Sequence, residues 1–250
     1  MIRPAILIVL LSAAPSLAQR GVTDGQWHRH NGDAGATRYS GLDQITRENV
    51  GSLEIAWRFR SANFGPTPEF KSETTPLMVD GVLYFTAGFR RDVIAIDAGS
   101  AETLWTFRFD EGERGAAAPR KNSGRGVAHW TDGKGDARIF VATPGFQLIA
   151  LDAATGRPVT GFGGDGIVDM KLGLDQPVDL DARNVGSSSP PLVFEDLVII
   201  GPAMASDTRP SSKAAVPGAR YRLGRENGRA ALDLSHGAQA RRVRLRNLGG

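Results

Sequence analysis

An all-β fold made of repeated antiparallel sheets is the architecture this sequence predicts, on three observations. Between residues 53 and 201 the apolar residues fall in short runs separated by turn-forming residues, without helical periodicity. One of these segments recurs 55 residues further along the chain. Glycine is abundant, at 31 residues, and charged residues make up 23%, a composition that suits a loop-rich sheet protein better than a helical one.

The N-terminus comes first in the chain and stands apart from this pattern. Met1-Ile2-Arg3 is a short positive start, Ala5 to Leu11 is apolar, and Ser16 and Ala18 place small side chains before Gln19. That layout is a secretory signal peptide, and its apolar stretch is too short to span a bilayer. Residues 1–18 are therefore expected to be removed after Ala18, leaving a periplasmic or secreted chain. The sequence has no cysteine, which excludes disulfides, thiolate metal sites and cysteine nucleophiles. The mature chain must be held by its core alone, and it is long enough to build one.

The net charge of +3 is unevenly placed. From Arg220 to Gly250 there are eight arginines against Glu226 and Asp233, which leaves 22 basic and 25 acidic side chains in the residues before them. The basic character belongs to the tail, so it is no evidence for a nucleic-acid surface on the body, and no nucleic-acid partner is expected.

Strands are predicted at Leu53–Phe59, Pro76–Val79, Val82–Thr86, Val93–Asp97, Leu104–Phe107, Arg138–Thr143, Gln147–Asp152 and Leu197–Gly201. Asp80-Gly81 and Asp132-Gly133-Lys134-Gly135 supply turns between them. The repeat aligns Val93 to Trp105 with Leu148 to Thr160 on the frame Ala-x-Asp-x-x-(Ser/Thr)-(Ala/Gly). In each copy a strand ending in threonine (Thr86, Thr143) comes first, and an aliphatic strand then runs into the aspartate. The Asp and Ser/Thr side chains bond a tight turn, and the next strand leaves with a large residue to pack between sheets. Four strands in about 50 residues is the unit of a β-propeller blade.

Extended to Ala-x-Asp-x-x-x-Gly-x-x-x-Trp, the frame resembles the tryptophan-docking motif of the pyrroloquinoline quinone (PQQ) dehydrogenases, in which the Trp of one blade packs on the Gly peptide of the next. The first copy keeps Trp105 but has Ala101 for Gly, and the second keeps Gly156 but has Thr160 for Trp. Ordered blocks upstream and downstream are also similar to that family. These are Gln26-Trp27 with Asn31-Gly32-Asp33, Arg38-Tyr39-Ser40, Ala56-Trp57-x-Phe59, Glu73-Thr74-Thr75-Pro76-Leu77, Arg125 to Trp130, Gly163 to Asp169, and Ser188 to Val193. The resemblance implies that residues 19–219 are about three N-terminal blades of an eight-bladed propeller of the quinoprotein dehydrogenase type. It implies PQQ and Ca²⁺ as cofactors, oxidation of a sugar or polyol hydroxyl, and transfer of electrons to a membrane quinone or a cytochrome. Non-catalytic propeller scaffolds of the outer-membrane assembly type share the docking repeat and are the alternative, but they lack the Glu73 and Arg125 blocks.

PQQ is a flat tricarboxylate bearing an ortho-quinone, so its site needs cations, hydrogen-bond donors and flat side chains. By resemblance, Arg125 is the arginine whose guanidinium bonds the cofactor, and Glu73 the acid that bonds it near the first full blade. Thr143 matches a threonine that bonds a cofactor carboxylate, and Ser188, between Ser187 and Ser189, stands where the family places hydroxyl donors. Read without the resemblance, these four are a solvated loop arginine, a surface carboxylate, a strand threonine and a loop serine. Alcohol-oxidising members carry adjacent cysteines just before the Arg-Gly block, and Arg120-Lys121-Asn122-Ser123-Gly124 has none. That points to the glucose dehydrogenase-like branch. His129 replaces a common aromatic and either faces the substrate or packs as a strand histidine. The catalytic aspartate and most Ca²⁺ ligands are expected beyond Gly250.

Gly161-x-Gly163-x-x-Gly166 matches a dinucleotide fingerprint as a string, but Ile167-Val168-Asp169 reads as a strand where a helix is needed. His28-Arg29-His30 lacks a third ligand for zinc. Residues 220–250 turn abruptly arginine-rich and lose all periodicity. Shifting the reading frame by one base permits, from Leu232 to Leu248, a family-like segment with a tryptophan at each end. The tail is expected to be a frameshift product or a disordered basic extension, and the whole chain an inactive fragment.

Overall fold

The computed structural model describes residues 21–22, 24–61, 64–65, 68–172, 185–204, 219–222, 235–236 and 239–240. The expected signal peptide and most of the basic tail lie outside these residues. Sheet A contains β1 (Leu77–Val79), β2 (Val82–Ala87), β3 (Asp92–Asp97) and β4 (Thr103–Phe107) in sequential antiparallel order. A six-residue helix, α1 (Gly112–Ala117), lies on the way to sheet B. Sheet B repeats the meander with β5 (Ala128–Thr131), β6 (Ala137–Ala142), β7 (Gln147–Asp152) and β8 (Ile167–Asp169). Further along lie β9 (Val185–Gly186), β10 (Leu192–Phe194), β11 (Leu197–Ile200), β12 (Ala203–Met204) and β13 (Ala219–Arg222). Strands β10, β11 and β13 form a third sheet in that order, and β9 pairs with β12. A last hairpin joins β14 (Ser235–His236) to β15 (Gln239–Ala240).

Three four-stranded sheets were expected; two are complete, and the third has three strands among the described residues. Its β13 carries the chain past residue 220, with Arg220 opposite Ile199 and Arg222 opposite Leu197. The predicted strand Leu53–Phe59 takes no regular structure and has no partner strand among the described residues. Its inward side chains still pack. Trp57 and Phe59, with Phe64, cover the face of sheet A formed by Phe85, Ile94 and Ile96.

The inner positions of β6 (residues 139–142) and β7 (residues 148–151) are all apolar because both faces of sheet B are covered. Ile139, Val141, Ile149 and Leu151 face sheet A, where they meet Leu77, Val93 and Ala95. Alternate residues Phe140, Ala142, Leu148 and Ala150 face the other way and meet Val185, Val198 and Ile200. This is the period-2 alternation of a strand read twice, once for each neighbouring sheet.

The repeated turns form as the sequence implies. Asp97 Oδ1 accepts from the N–H groups of Gly99 and Ser100 and from the Ser100 hydroxyl. Asp152 Oδ1 accepts from the N–H and hydroxyl of Thr155. Trp105 Nε1 donates to Ala153 O at 3.0 Å, and Trp57 Nε1 makes the equivalent bond to Ala98 O at 3.1 Å. Both tryptophans were expected to be buried between sheets; both are half-buried, each ring lying over the turn that follows β3 or β7. The second repeat has no Trp for a visible reason. After a single bridge from Pro158 to Leu151, the chain leaves sheet B and returns only at β8, so Thr160 lies outside the fourth strand.

Candidate functional site

The segments that lead into β1, β5 and β10 meet at one peptide. Arg125 N donates to Ser188 O at 2.9 Å, and Arg125 O accepts from Thr75 N at 3.2 Å. One residue thus joins the entrances to three successive sheets. Gly126 makes the approach possible, since its φ is +114° and a Cβ there would stand 2.8 Å from Thr75 O. Glu73 is two residues upstream of Thr75, so the structure brings Glu73, Arg125 and Ser188 to one rim.

Arg125 and Glu73 are exposed, and Ser188 is half-buried. Glu73 pairs with Lys71 at 3.0 Å. The hydrogen bond from Lys71, helped by the charges of Lys71 and Arg125, holds its carboxyl below the usual range. The Arg125 guanidinium takes part in none of the ion pairs found among the described residues. It therefore presents its donors to solvent. Ser187 is fully buried, and its hydroxyl donates to Ser189 O at 3.2 Å.

Thr143 sits just past the end of β6, buried, and its hydroxyl is bonded both to Glu111 beside α1 and within its own turn. It donates to Glu111 Oε1 at 2.6 Å and accepts from Gln147 N at 2.9 Å. Glu111 Oε2 accepts from Gly145 N at 2.9 Å. Thr143 is thus at the same end of the sheets as the rim, in a separate hydrogen-bond network.

An N-terminal strip lies along this region. Trp27 exchanges backbone hydrogen bonds with Met78 of β1, and Arg29 Nη1 donates to Val193 O of β10 at 3.0 Å. Between them, the His28 and His129 rings lie 6.0 Å apart. Burial, foremost, and the charge of His28 push His129 down to about 4, so it packs as a neutral imidazole. Burial and the charges of Arg125 and Arg38 likewise lower His30.

Arg91 was not singled out by the sequence. It lies in the turn between β2 and β3, 5% exposed, and its guanidinium bonds four backbone carbonyls. Neighbouring Arg90 is instead a surface residue paired with Asp110 at 2.9 Å. Two adjacent arginines in a turn carry no signal of which one is buried.

The rim fits a polyanionic quinone in its donor chemistry. An exposed guanidinium without a carboxylate partner has a planar fork of N–H donors, which suits carboxylate and quinone oxygens. Asn122 and Ser123, just before the Arg-Gly pair, are buried and without thiols. No group of three or more His, Asp or Glu among the described residues could hold a metal ion.

Successive antiparallel meanders packed face to face define the class as a β-propeller-type fold. The chain belongs to the PQQ family: residues 27–224 match the model described as the glucose/ethanol/alcohol dehydrogenase β-propeller domain. It is 30% identical over 185 residues to the glycerol dehydrogenase large subunit of Gluconobacter oxydans, covering 70% of this chain and 24% of that protein. It is 28% identical over 204 residues to the quinate/shikimate dehydrogenase (quinone) of Acinetobacter baylyi, covering 72% and 24%. The fold is similar to the quinohemoprotein alcohol dehydrogenase of Comamonas testosteroni, with a TM-score of 0.61, 28% identity, and coverage of 82% and 26%. The chain spans about a quarter of the length of the curated relatives it matches. Among the described residues, no helix is long and apolar enough to cross a membrane.

Proposed function

We propose that this chain supplies the Glu73–Arg125–Ser188 rim of a PQQ site in a periplasmic dehydrogenase that oxidises the hydroxyl of a polyol or sugar. The observation that carries this reading is the placement of Arg125. Its peptide is bonded to the entrances of two other sheets while its guanidinium remains exposed and without an ion-pair partner.

Bound PQQ supplies an ortho-quinone that takes up the two electrons and hydrogen of the alcohol. The chain's own residues bind and orient it. Arg125 donates to a carboxylate or quinone oxygen, Ser188 offers a hydroxyl donor, and Glu73 accepts from the cofactor edge. Thr143 joins this set if its hydroxyl turns from Glu111 to a cofactor carboxylate. Ca²⁺ belongs to the proposal through the family resemblance, as does a base that takes the substrate proton; neither is assigned to a described residue. The names of relatives support a polyol or alcohol substrate and two acceptors: one is a quinone-linked quinate/shikimate dehydrogenase, another a 1-butanol dehydrogenase (cytochrome c) from Thauera butanivorans. A membrane quinone or a cytochrome is the proposed electron acceptor. The expected leader before Gln19 supports a periplasmic location.

A PQQ titration of the chain, followed by cofactor absorbance, tests the reading. Saturable binding that weakens in Arg125→Ala supports it. An absence of saturable binding, or an unchanged titration in Arg125→Ala, would overturn it.

A further inference from the structure

The carbonyls bonded by Arg91 are not an arbitrary set. Nη1 donates to Ala142 O and to Ser187 O, each at 2.7 Å, and these carbonyls immediately precede Thr143 and Ser188. Nε donates to Asn122 O at 3.2 Å and Nη2 to Arg120 O at 3.1 Å, in the loop that runs into Arg125. Thr143 and Ser188 are therefore tied to one buried side chain through the carbonyl that precedes each of them, and Arg125 through its loop three residues upstream.

A buried guanidinium is ordinarily matched by a carboxylate, because an uncompensated charge away from water is strongly disfavoured. Arg91 is in none of the ion pairs among the described residues, and Glu111 acts on it only through space. Four carbonyl dipoles disperse the charge instead. Burial lowers its pKa to about 10, which still leaves it charged at neutral pH.

The surroundings are shaped to hold it. Gly124, at φ +65°, leaves space for the guanidinium; a Cβ there would stand 2.6 Å from Arg91 Nε. Glu69 bridges this loop and the turn that carries Arg91, accepting from Ser123 N at 3.0 Å and from Gly88 N at 3.2 Å. Asn122 N donates to Phe89 O at 3.1 Å, so the loop is tied to the turn that carries Arg91.

The geometry points to Arg91 as the positioning residue of the rim: its guanidinium sets, as one unit, the backbone that presents Arg125, Thr143 and Ser188. The cofactor role of that unit rests on the PQQ reading above; the clamp itself does not. A merely structural arginine would stabilise all sheets together, whereas a positioning residue controls the rim ahead of the rest.

Amide hydrogen exchange on the full chain separates these. The reporters are the Thr75 and Arg125 amides, whose acceptors are Arg125 O and Ser188 O. In Arg91→Met both should exchange about tenfold faster or more, the effect of losing one charge-assisted hydrogen bond. The β2–β3 and β6–β7 ladders should keep their protection. Arg91→Lys should recover part of the difference, since an ammonium keeps the charge and three donors. Gly124→Ala, which crowds the guanidinium, should reproduce the local loss and serves where Arg91→Met fails to fold. Unchanged reporters, or a loss shared equally by the ladders, would overturn the proposal. A PQQ titration on the same variants keeps the two readings apart: local loosening without any effect of Arg125→Ala on PQQ supports the clamp and removes only the cofactor reading.

Discussion

Trp105 lies on the peptide of Gly156 in the neighbouring sheet, so close that a Cβ at Gly156 would stand 2.5 Å from the ring atom Cε3. The same ring donates Nε1 to Ala153 O at 3.0 Å, and Tyr84 donates its hydroxyl to that carbonyl at 3.2 Å. Sheets A and B are therefore locked, at the end of the sheets opposite the Arg125 rim, by a contact that tolerates no side chain at residue 156.

This contact makes the first prediction. Gly156→Ala combines a left-handed φ of +68° with overpacking against Trp105. It should destabilise by roughly 2–4 kcal/mol. Trp105→Ala should cost about 2–3 kcal/mol, less than the ~3–5 of a fully buried ring, because one edge is already in water. Denaturant midpoints at constant m-value measure both, and an unaltered Gly156→Ala would contradict the docking geometry.

Sheet A offers the reverse experiment. Ala101 occupies the position equivalent to Gly156 and takes φ +62° despite its Cβ. An alanine in that region is strained by about 1–2 kcal/mol, and glycine gives back about 0.4–1 through the unfolded chain. Ala101→Gly should stabilise the chain by roughly 0.5–1 kcal/mol. A fall in stability would mean that the turn is held open by contacts the alanine methyl makes.

The rim predicts a split between binding and stability. Glu73 and Arg125 are both exposed, so Glu73→Gln and Arg125→Ala should leave the thermal midpoint in place. Each should weaken PQQ binding, Arg125→Ala by about tenfold to more than a hundredfold, from the ~1.5–3 kcal/mol of a charge-assisted hydrogen bond. Equal affinities in all three proteins would remove both residues from the cofactor site.

His129 predicts a pH dependence. Its folded pKa, about 4, is depressed below the ordinary 6.5 by burial and by His28. The unfolded chain therefore binds the proton more readily, and folding stability present above about pH 6.5 is lost as the pH falls toward about 4. Thermal midpoints measured from pH 7 to pH 4 should fall more steeply in the unaltered chain than in His129→Phe, which cannot take up the proton. Parallel curves would show that another group governs the acid limb.

Much of the fold was legible because its signals are local. Seven of the eight predicted strands form within a residue or two of their expected ends, and Asp97 and Asp152 bond their turns from within four residues. Strand β5 was missed because Ala-His-Trp-Thr lacks an aliphatic run, and β10 because Leu-Val-Phe follows two prolines. The helix α1 was missed because Gly-Glu-Arg-Gly-Ala-Ala is short and carries two glycines. The eighth predicted strand, Leu53–Phe59, has the right alternation, but pairing also needs a neighbour, and alternation alone does not supply one.

Strand periodicity, the paired Asp turns, the Trp–Gly docking frame and the family blocks can be read from the chain alone, since each is written in residues a few positions apart. That Arg91 is buried while Arg90 is not, that Thr143 bonds Glu111, and that Arg125 joins three sheet entrances became visible only in the packed sheets. The Arg91 acceptors lie 29, 31, 51 and 96 positions away along the chain. Hydrogen bonds over such separations depend on how the sheets stack, and a one-dimensional pattern has no period that encodes them.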